Sequence, residues 1–328
     1  MLDVYASDRS NMWEKIWRFP EMCEEALSYS SGMQTFKPSG IVVAGMGGSA
    51  ISGDILRDWL DPPFPFEVCR GYHLPSWVSQ NCLVIAISYS GETEETLSCV
   101  REARKYGAKL AGVSSGGTLQ EELRDCPFIC VPPGLPSRAA FPYLFFSAVR
   151  ILEEAGVLER REEIREALEV LRSVRERWAE ETRKLAERLV ERLPFIYTPP
   201  RFYSVGLRMK TQLNENSKIP AKVEAFPELC HNEIVGLRGT PPNVTFLLVR
   251  DRMEEERIRI RVEFLKRLLE GKEITEIWGE GKGLLARMLS VLYLGDFLSC
   301  HLAGLKGVDP TPVEEISELK KELQRHRH

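Results

Sequence analysis

The sequence predicts an α/β protein built on open parallel sheets, and three observations carry that prediction. Short apolar, β-branched runs alternate with helix-length amphipathic segments through the first half. Two of those runs, 41–44 and 83–87, break directly into loops rich in Gly, Ser and Thr and then into helical patterns. The alternation returns after a charged stretch, with apolar runs at 195–198, 244–249 and 273–278. Parallel strands need long crossovers, which the intervening helices supply, and those helices cover both faces of a sheet.

In chain order, a helix is expected over 8–30, where Trp13, Ile16, Trp17, Met22 and Ala26 offer a buried face. Ser39-Gly40 opens the first strand. It ends in Gly45-Met46-Gly47-Gly48-Ser49-Ala50, and a helical pattern over 51–60 runs until Asp61-Pro62-Pro63 stops it. A short strand near 66–69 precedes the central one, Leu83-Val84-Ile85-Ala86-Ile87. That strand breaks into Ser88-Tyr89-Ser90-Gly91-Glu92-Thr93, and a helix continues from 94. A strand over 109–113, a helix over 118–124 and a strand over 128–131 follow. After the rigid Pro132-Pro133-Gly134-Leu135-Pro136, a helix runs to about Ala155 and places Arg138 in its first turn, where a cation opposes the helix dipole. Such a placement suits an anionic ligand, and a surface ion pair explains it equally well.

From 153 to 192 Glu and Arg dominate. Ile164, Leu168, Leu171, Trp178, Leu185 and Leu189 keep helical spacing, so one or two amphipathic helices are expected to join the halves. The expected organisation is a first unit over 1–152, a helical connection over 153–192 and a second unit over 193–328. The second unit adds helices at 204–213, 254–270 and 284–305. A final helix from about Thr311 carries Val313, Ile316, Leu319 and Leu323 on one face. With no strand–Ser/Gly loop–helix like the first two, it reads as a structural duplicate without anion loops.

The 328 residues, 43% hydrophobic and 28% charged, suffice for two cored domains. A net charge of −4 argues against a general nucleic-acid binder, so an anionic ligand must be drawn by local loops. No apolar run approaches the ~18 residues of a membrane span. The N-terminus MLDVYASDRS lacks a leader pattern, and the chain reads as soluble and cytoplasmic. Eight cysteines are scattered without a CxxC pair. Cys126 and Cys130 bracket a short strand with no second cluster nearby, so structural thiols are expected and no metal centre.

The loops carry the chemistry. A strand feeding a Ser/Gly/Thr loop and then a helix gathers free backbone N–H groups, hydroxyls and the positive end of a helix dipole, which binds an anion, most often a phosphate. An ordinary N-cap explains fewer of these residues than 88–93 contains. The first loop also fits G-x-G-x-x-A, the dinucleotide fingerprint, but Glu67 lies near the start of its strand instead of closing it. Two anion loops at the ends of parallel strands better suit one small phosphorylated ligand. In the second half, Glu215 flanked by Asn214 and Asn216, His231 and Lys320 are polar groups open to a catalytic role. Each also has a bland reading: a helix-end surface residue, a structural imidazole and a solvated charge.

Gly45-Met46-Gly47-Gly48-Ser49, Ser88-Tyr89-Ser90-Gly91-Glu92-Thr93, Pro136-Ser137-Arg138-Ala139-Ala140, Asn214-Glu215-Asn216 and Pro227-Glu228-Leu229-Cys230-His231-Asn232 occur in this order, followed by Lys306-Gly307-Val308-Asp309-Pro310 and Leu319-Lys320. In this the chain resembles the bifunctional phosphoglucose/phosphomannose isomerases of the phosphoglucose isomerase superfamily. The resemblance implies two sugar-isomerase (SIS) domains, each a parallel sheet flanked by helices, plus a C-terminal helix. It implies that Ser49, Ser88, Ser90 and Thr93, with the amides of Gly47 and Gly48, hold the substrate phosphate. It implies Glu215 as general base, His231 as the ring-opening histidine supplied by the neighbouring subunit of a homodimer, Lys320 as the active-site lysine and Arg138 as the arginine near the enediolate. Thr311 is the nearest candidate for the threonine associated with tolerance of the C2 epimer.

These residue types suit that chemistry. Moving a proton between C1 and C2 of an open-chain hexose through a cis-enediol(ate) needs one carboxylate, a fixed cation for the developing oxyanion, and a donor–acceptor pair to open the ring. No step calls for a metal or redox cofactor. The expected function is thus aldose–ketose isomerisation of hexose 6-phosphates, with no nucleic-acid or membrane partner. Its alternatives are a non-catalytic SIS phosphosugar sensor and a nucleotide-dependent oxidoreductase using Gly45 to Ala50.

Overall fold

The computed structural model describes residues 6–325. The N-terminal helical stretch is two helices, α1 (Met12–Trp17) and α2 (Phe19–Leu27), separated at Arg18. Pro20 is the second residue of α2, in the first turn, where a missing N–H has no intrahelical partner to lose. The first α/β unit comprises β1 (Gly40–Ala44), α3 (Gly47–Leu60), β2 (Phe66–Cys69), β3 (Cys82–Ile87), α4 (Glu94–Lys105), β4 (Lys109–Ser114), α5 (Gly117–Glu122), β5 (Phe128–Cys130) and α6 (Phe141–Glu154). The Glu/Arg-rich connection is one 29-residue helix, α7 (Arg161–Leu189). The second unit comprises β6 (Leu193–Thr198), α8 (Tyr203–Ser217), β7 (Lys222–Ala225), α9 (Glu233–Gly236), β8 (Val244–Arg250), α10 (Glu256–Leu268), β9 (Glu273–Trp278), α11 (Leu284–Leu305) and α12 (Glu314–Arg325). Strand β7 escaped the sequence reading because it is four residues long and alternates Lys and Glu with small apolar residues.

All pairings are parallel, in the orders β2-β1-β3-β4-β5 and β7-β6-β8-β9. In each sheet the strand order reverses beside the unit's first strand, between β1 and β3 and between β6 and β8. At such a reversal the loops leaving the carboxyl ends of the two strands diverge and open a crevice for a ligand. The two Gly/Ser loops flank that crevice in the first sheet.

Strand side chains alternate between faces, and both faces are apolar. Ile41, Val43, Leu83 and Ile85 of the first sheet and Ile196, Leu247 and Val249 of the second share one continuous core with α6, α7, α8 and α11. The opposite faces pack Val42, Val84 and Ala86 with α4 and α5, and Phe246 and Leu248 with α10. The expectation that no apolar run is long enough to span a membrane is corrected by α11, which is long and apolar enough by length and composition. Every residue from Leu285 to Ala303 is buried in the protein, which is why this helix is apolar all round. All eight thiols are unbridged, and Cys23, Cys69, Cys82, Cys99 and Cys300 are buried, in keeping with structural thiols.

Candidate active site

Both Gly/Ser loops meet the crevice as strand ends that become helix starts. Gly47 and Gly48 are the first two residues of α3, so their N–H groups have no intrahelical acceptor. Gly47 has φ +50 and turns the backbone into the helix. A Cβ on Gly45 would lie 2.9 Å from the Ile87 carbonyl oxygen, so the first loop passes against the end of β3. In the second loop, Ser88 and Thr93 share a hydroxyl hydrogen bond of 2.8 Å. Thr93 is the N-cap of α4, but its side chain makes no capping bond, which leaves the first amides of α4 open. The loop is tied down from behind, where the Glu92 carboxylate accepts from the Thr118 N–H at 2.8 Å and from its hydroxyl at 2.9 Å. Ser49 and Ser88 are buried, and Ser90 is exposed at the loop's tip.

Arg138 links these loops to the second unit. It does not stand in the first turn of α6, as the spacing predicts; the helix begins three residues later at Phe141, and Arg138 lies in the preceding turn. The turn packs against the first loop, since a Cβ on Gly48 would sit 3.5 Å from Arg138 Cα. Nor is Arg138 a surface ion pair, because only 4% of it is exposed. Its Nε donates to Asn216 Oδ1 at 2.6 Å and its Nη1 to Glu215 Oε2 at 3.3 Å. Its Nη2 donates to the carbonyls of Pro310 (2.5 Å) and Thr311 (2.9 Å). Burial pulls the guanidinium below its ordinary value and the Glu215 carboxylate opposes that, so the cation is held where water does not screen it.

Glu215 stands in the last turn of α8 with its side chain about one quarter exposed. It borders a cavity of about 390 Å³ shared with Asn214, Lys218, Val313 and Ile316, between the end of α8 and the start of α12. Beneath this pair lies a second, fully buried one. Arg208 grips Asp296 with two bonds, of 3.1 and 2.6 Å, and Gln212 donates to the same carboxylate at 2.9 Å. Arg208 Nη2 also donates to the Arg138 carbonyl at 3.1 Å, and its guanidinium lies 4.5 Å from the Phe141 ring centre. Burial pushes the Asp296 carboxyl up and Arg208 opposes it.

Of the residues singled out from the sequence, the structure gathers Arg138 and Glu215 with the backbone of Thr311, and packs the Arg138 turn on the glycine loop. The Thr311 hydroxyl is buried without a hydrogen-bond partner. His231 and Lys320 are not brought into this group. Both are exposed, and neither side chain makes a hydrogen bond or ion pair with a described residue. The turn bearing His231 is itself anchored, through Glu233, to Tyr197 and Lys222. The sequence reading gave no role to Arg208, Asp296 and Lys218, and named Asn216 only as a neighbour of Glu215. A lone Asp within the apolar run 284–305 was the available signal for that buried network, since an acid there must be paired.

The second unit does contain a strand–glycine loop–helix, Gly279-Glu280-Gly281-Lys282-Gly283 between β9 and α11, which corrects the reading of a duplicate without one. Two of its amides are already occupied by one carboxylate. Gly283 N–H donates to Glu166 Oε2 at 2.9 Å, and Lys282 N–H donates to the other oxygen of the same carboxylate. A side chain of α7 thus fills the position of an anion.

Residues 179–323 match the family profile described as the bacterial phospho-glucose isomerase C-terminal SIS domain. Among relatives, a bifunctional phosphoglucose/phosphomannose isomerase of Caldicellulosiruptor bescii is 38% identical over 335 aligned positions, covering 95% of this chain and 98% of the relative. One of Thermoplasma acidophilum is 36% identical, covering 92% and 94%. In fold, the chain is similar to a glucose-6-phosphate isomerase like protein from Thermus thermophilus. The TM-score is 0.65 at 21% identity, with 97% of this chain and 96% of that one covered. Relatives at this identity cover more than nine-tenths of the chain, and it belongs to the bifunctional phosphoglucose/phosphomannose isomerase family.

Proposed function

We propose that this chain interconverts glucose 6-phosphate and mannose 6-phosphate with fructose 6-phosphate, as a cytoplasmic homodimer. The observation that carries the reading is the Arg138 bridge. One buried guanidinium lies 3.3 Å from Glu215 while its own turn packs on the glycine loop, which supports a single site built from base, cation and anion loops. In this reading the 6-phosphate rests on the amides of Gly47 and Gly48 and on Ser49, Ser88, Ser90 and Thr93. That remote contact supplies binding energy that orients the reacting carbons. Glu215 removes the proton from one of C1 and C2 and returns it to the other, and Arg138 stabilises the enediolate oxygens. Ring opening falls to His231 of a second copy and to Lys320. Their exposure, together with that of Ile316, Leu319 and Leu323 on α12, supports a second subunit completing the site. Thr311 is assigned to tolerance of both C2 epimers, and the division at 1–152, 153–192 and 193–328 is retained for the domains.

The test is a coupled assay of fructose 6-phosphate formation from each aldose phosphate, with and without EDTA. Formation from both, at rates unchanged by EDTA, is the expected result. Binding of fructose 6-phosphate without turnover of either aldose would instead identify a phosphosugar sensor. The phosphate assignment has its own check in Gly91→Ala. Gly91 has φ +73, and a Cβ there would lie 1.9 Å from the Gly116 carbonyl oxygen, so the loop must move. A KM raised roughly tenfold, about 1.4 kcal/mol, with a smaller change in kcat is expected. An unchanged KM would remove 88–93 from the phosphate site.

A further inference from the structure

The residue that ends α8 is in the wrong conformation for its type. Lys218 sits at the C-cap with φ 55 and ψ 41, a left-handed turn that favours glycine and disfavours any residue with a Cβ. Its ammonium is fully engaged: Nζ donates to the carbonyls of Glu215, Pro312 (2.5 Å) and Pro310 (3.4 Å). Arg138 Nη2 donates to Pro310 and Thr311 in the same segment. Two cations from different elements therefore hold three consecutive carbonyls, those of residues 310–312, and both reach Pro310. Asp309 shapes the segment by accepting the Thr311 N–H at 2.9 Å. Burial and the neighbouring Arg138 draw the Lys218 ammonium below its ordinary value, as expected for a cation kept beside another.

We infer that Lys218 is a positioning residue for the isomerase reaction, clamping segment 310–312 to the end of α8 so that the carbonyls gripping Arg138 hold its guanidinium against Glu215. The inference rests on the assignment of Glu215 as base. The clamp lies at the reacting end of the site, while the anion loops that dominate ground-state affinity belong to the first unit. Freeing the clamp therefore acts on kcat and spares KM.

Lys218→Gly and Lys218→Met test this together. Glycine removes the ammonium and relieves the left-handed backbone, while methionine removes the charge and keeps the stem. Both are expected to lower kcat about 10- to 100-fold, the cost of a misplacement near 1 Å. KM for fructose 6-phosphate should stay within about twofold, and the glycine variant should melt no lower than the methionine variant. A kcat within about twofold of wild type in both, a loss carried by KM, or a loss that follows a fall in Tm overturns the inference. Glu215→Gln separates it from the reading beneath it. An inactive Glu215→Gln beside fully active Lys218 variants sinks the clamp alone, whereas an active Glu215→Gln sinks the base.

Discussion

Glu215→Gln is expected to lower kcat for fructose 6-phosphate isomerisation by roughly 10²–10⁴-fold, the contribution typical of a positioned base, while leaving its Kd within a few-fold. The amide keeps the shape of the carboxylate and keeps an oxygen for Arg138 Nη1, at 3.3 Å in the native protein. It cannot carry a proton between two carbons. Asn216, the Pro310 carbonyl and the Thr311 carbonyl retain Arg138, so the cation stays in place and the Gly/Ser loops are untouched. Loss of binding in parallel with turnover would show that Glu215 acts by holding the site's shape. Wild-type turnover would show that another group moves the proton. Single-turnover kinetics beside calorimetric binding distinguish the three.

The largest expected effect on stability comes from Asp296. Asp296→Ala leaves Arg208 buried and uncompensated, and removing one partner of such a pair typically costs about 3–5 kcal/mol. Arg208 and Asp296 are each about 2% exposed, so water cannot rescue the charge. The double variant Arg208→Met/Asp296→Leu removes both charges and keeps most of the volume, and it should recover much of that loss, since apolar replacements of buried pairs are often neutral or better. Activity should not recover with it, because Arg208 Nη2 also holds the Arg138 carbonyl. Urea unfolding of the two singles and the double, read as a mutant cycle beside kcat, checks both halves. A stable but inactive double variant ties the buried pair to Arg138 and the proposed site. A stable and fully active one confines the pair to the core.

The parts legible in the sequence are those governed by neighbours along the chain. Apolar runs marked β1, β3, β4, β5, β6, β8 and β9 to within a residue or two, and the Gly and Ser loops marked the turns from strand to helix. Element edges slipped where local rules compete. The turn over 136–140 reads as helix because Ala139 and Ala140 are good helix formers, yet α6 waits for Phe141. The glycines at 279, 281 and 283 resemble the Gly/Ser loops of the first unit in kind, and only Glu166, reaching in from α7, occupies the amides there.

What the sequence determined by itself is therefore the class of fold, the position of the Gly/Ser loops at strand ends and, through ordered motifs, the family. Those signals are short-range, because backbone amides, turn residues and side-chain periods act within a few positions. The tertiary structure alone decided which distant groups converge. Arg138 meets Glu215 across 77 positions and Pro310 across 172, and no spacing rule spans such distances. The packing of α8 and α11 between the two sheets brings them together. Burial there removes the water that would otherwise screen the charges, so Arg138, which the spacing left open between a ligand contact and a surface ion pair, is a buried cation beside Glu215.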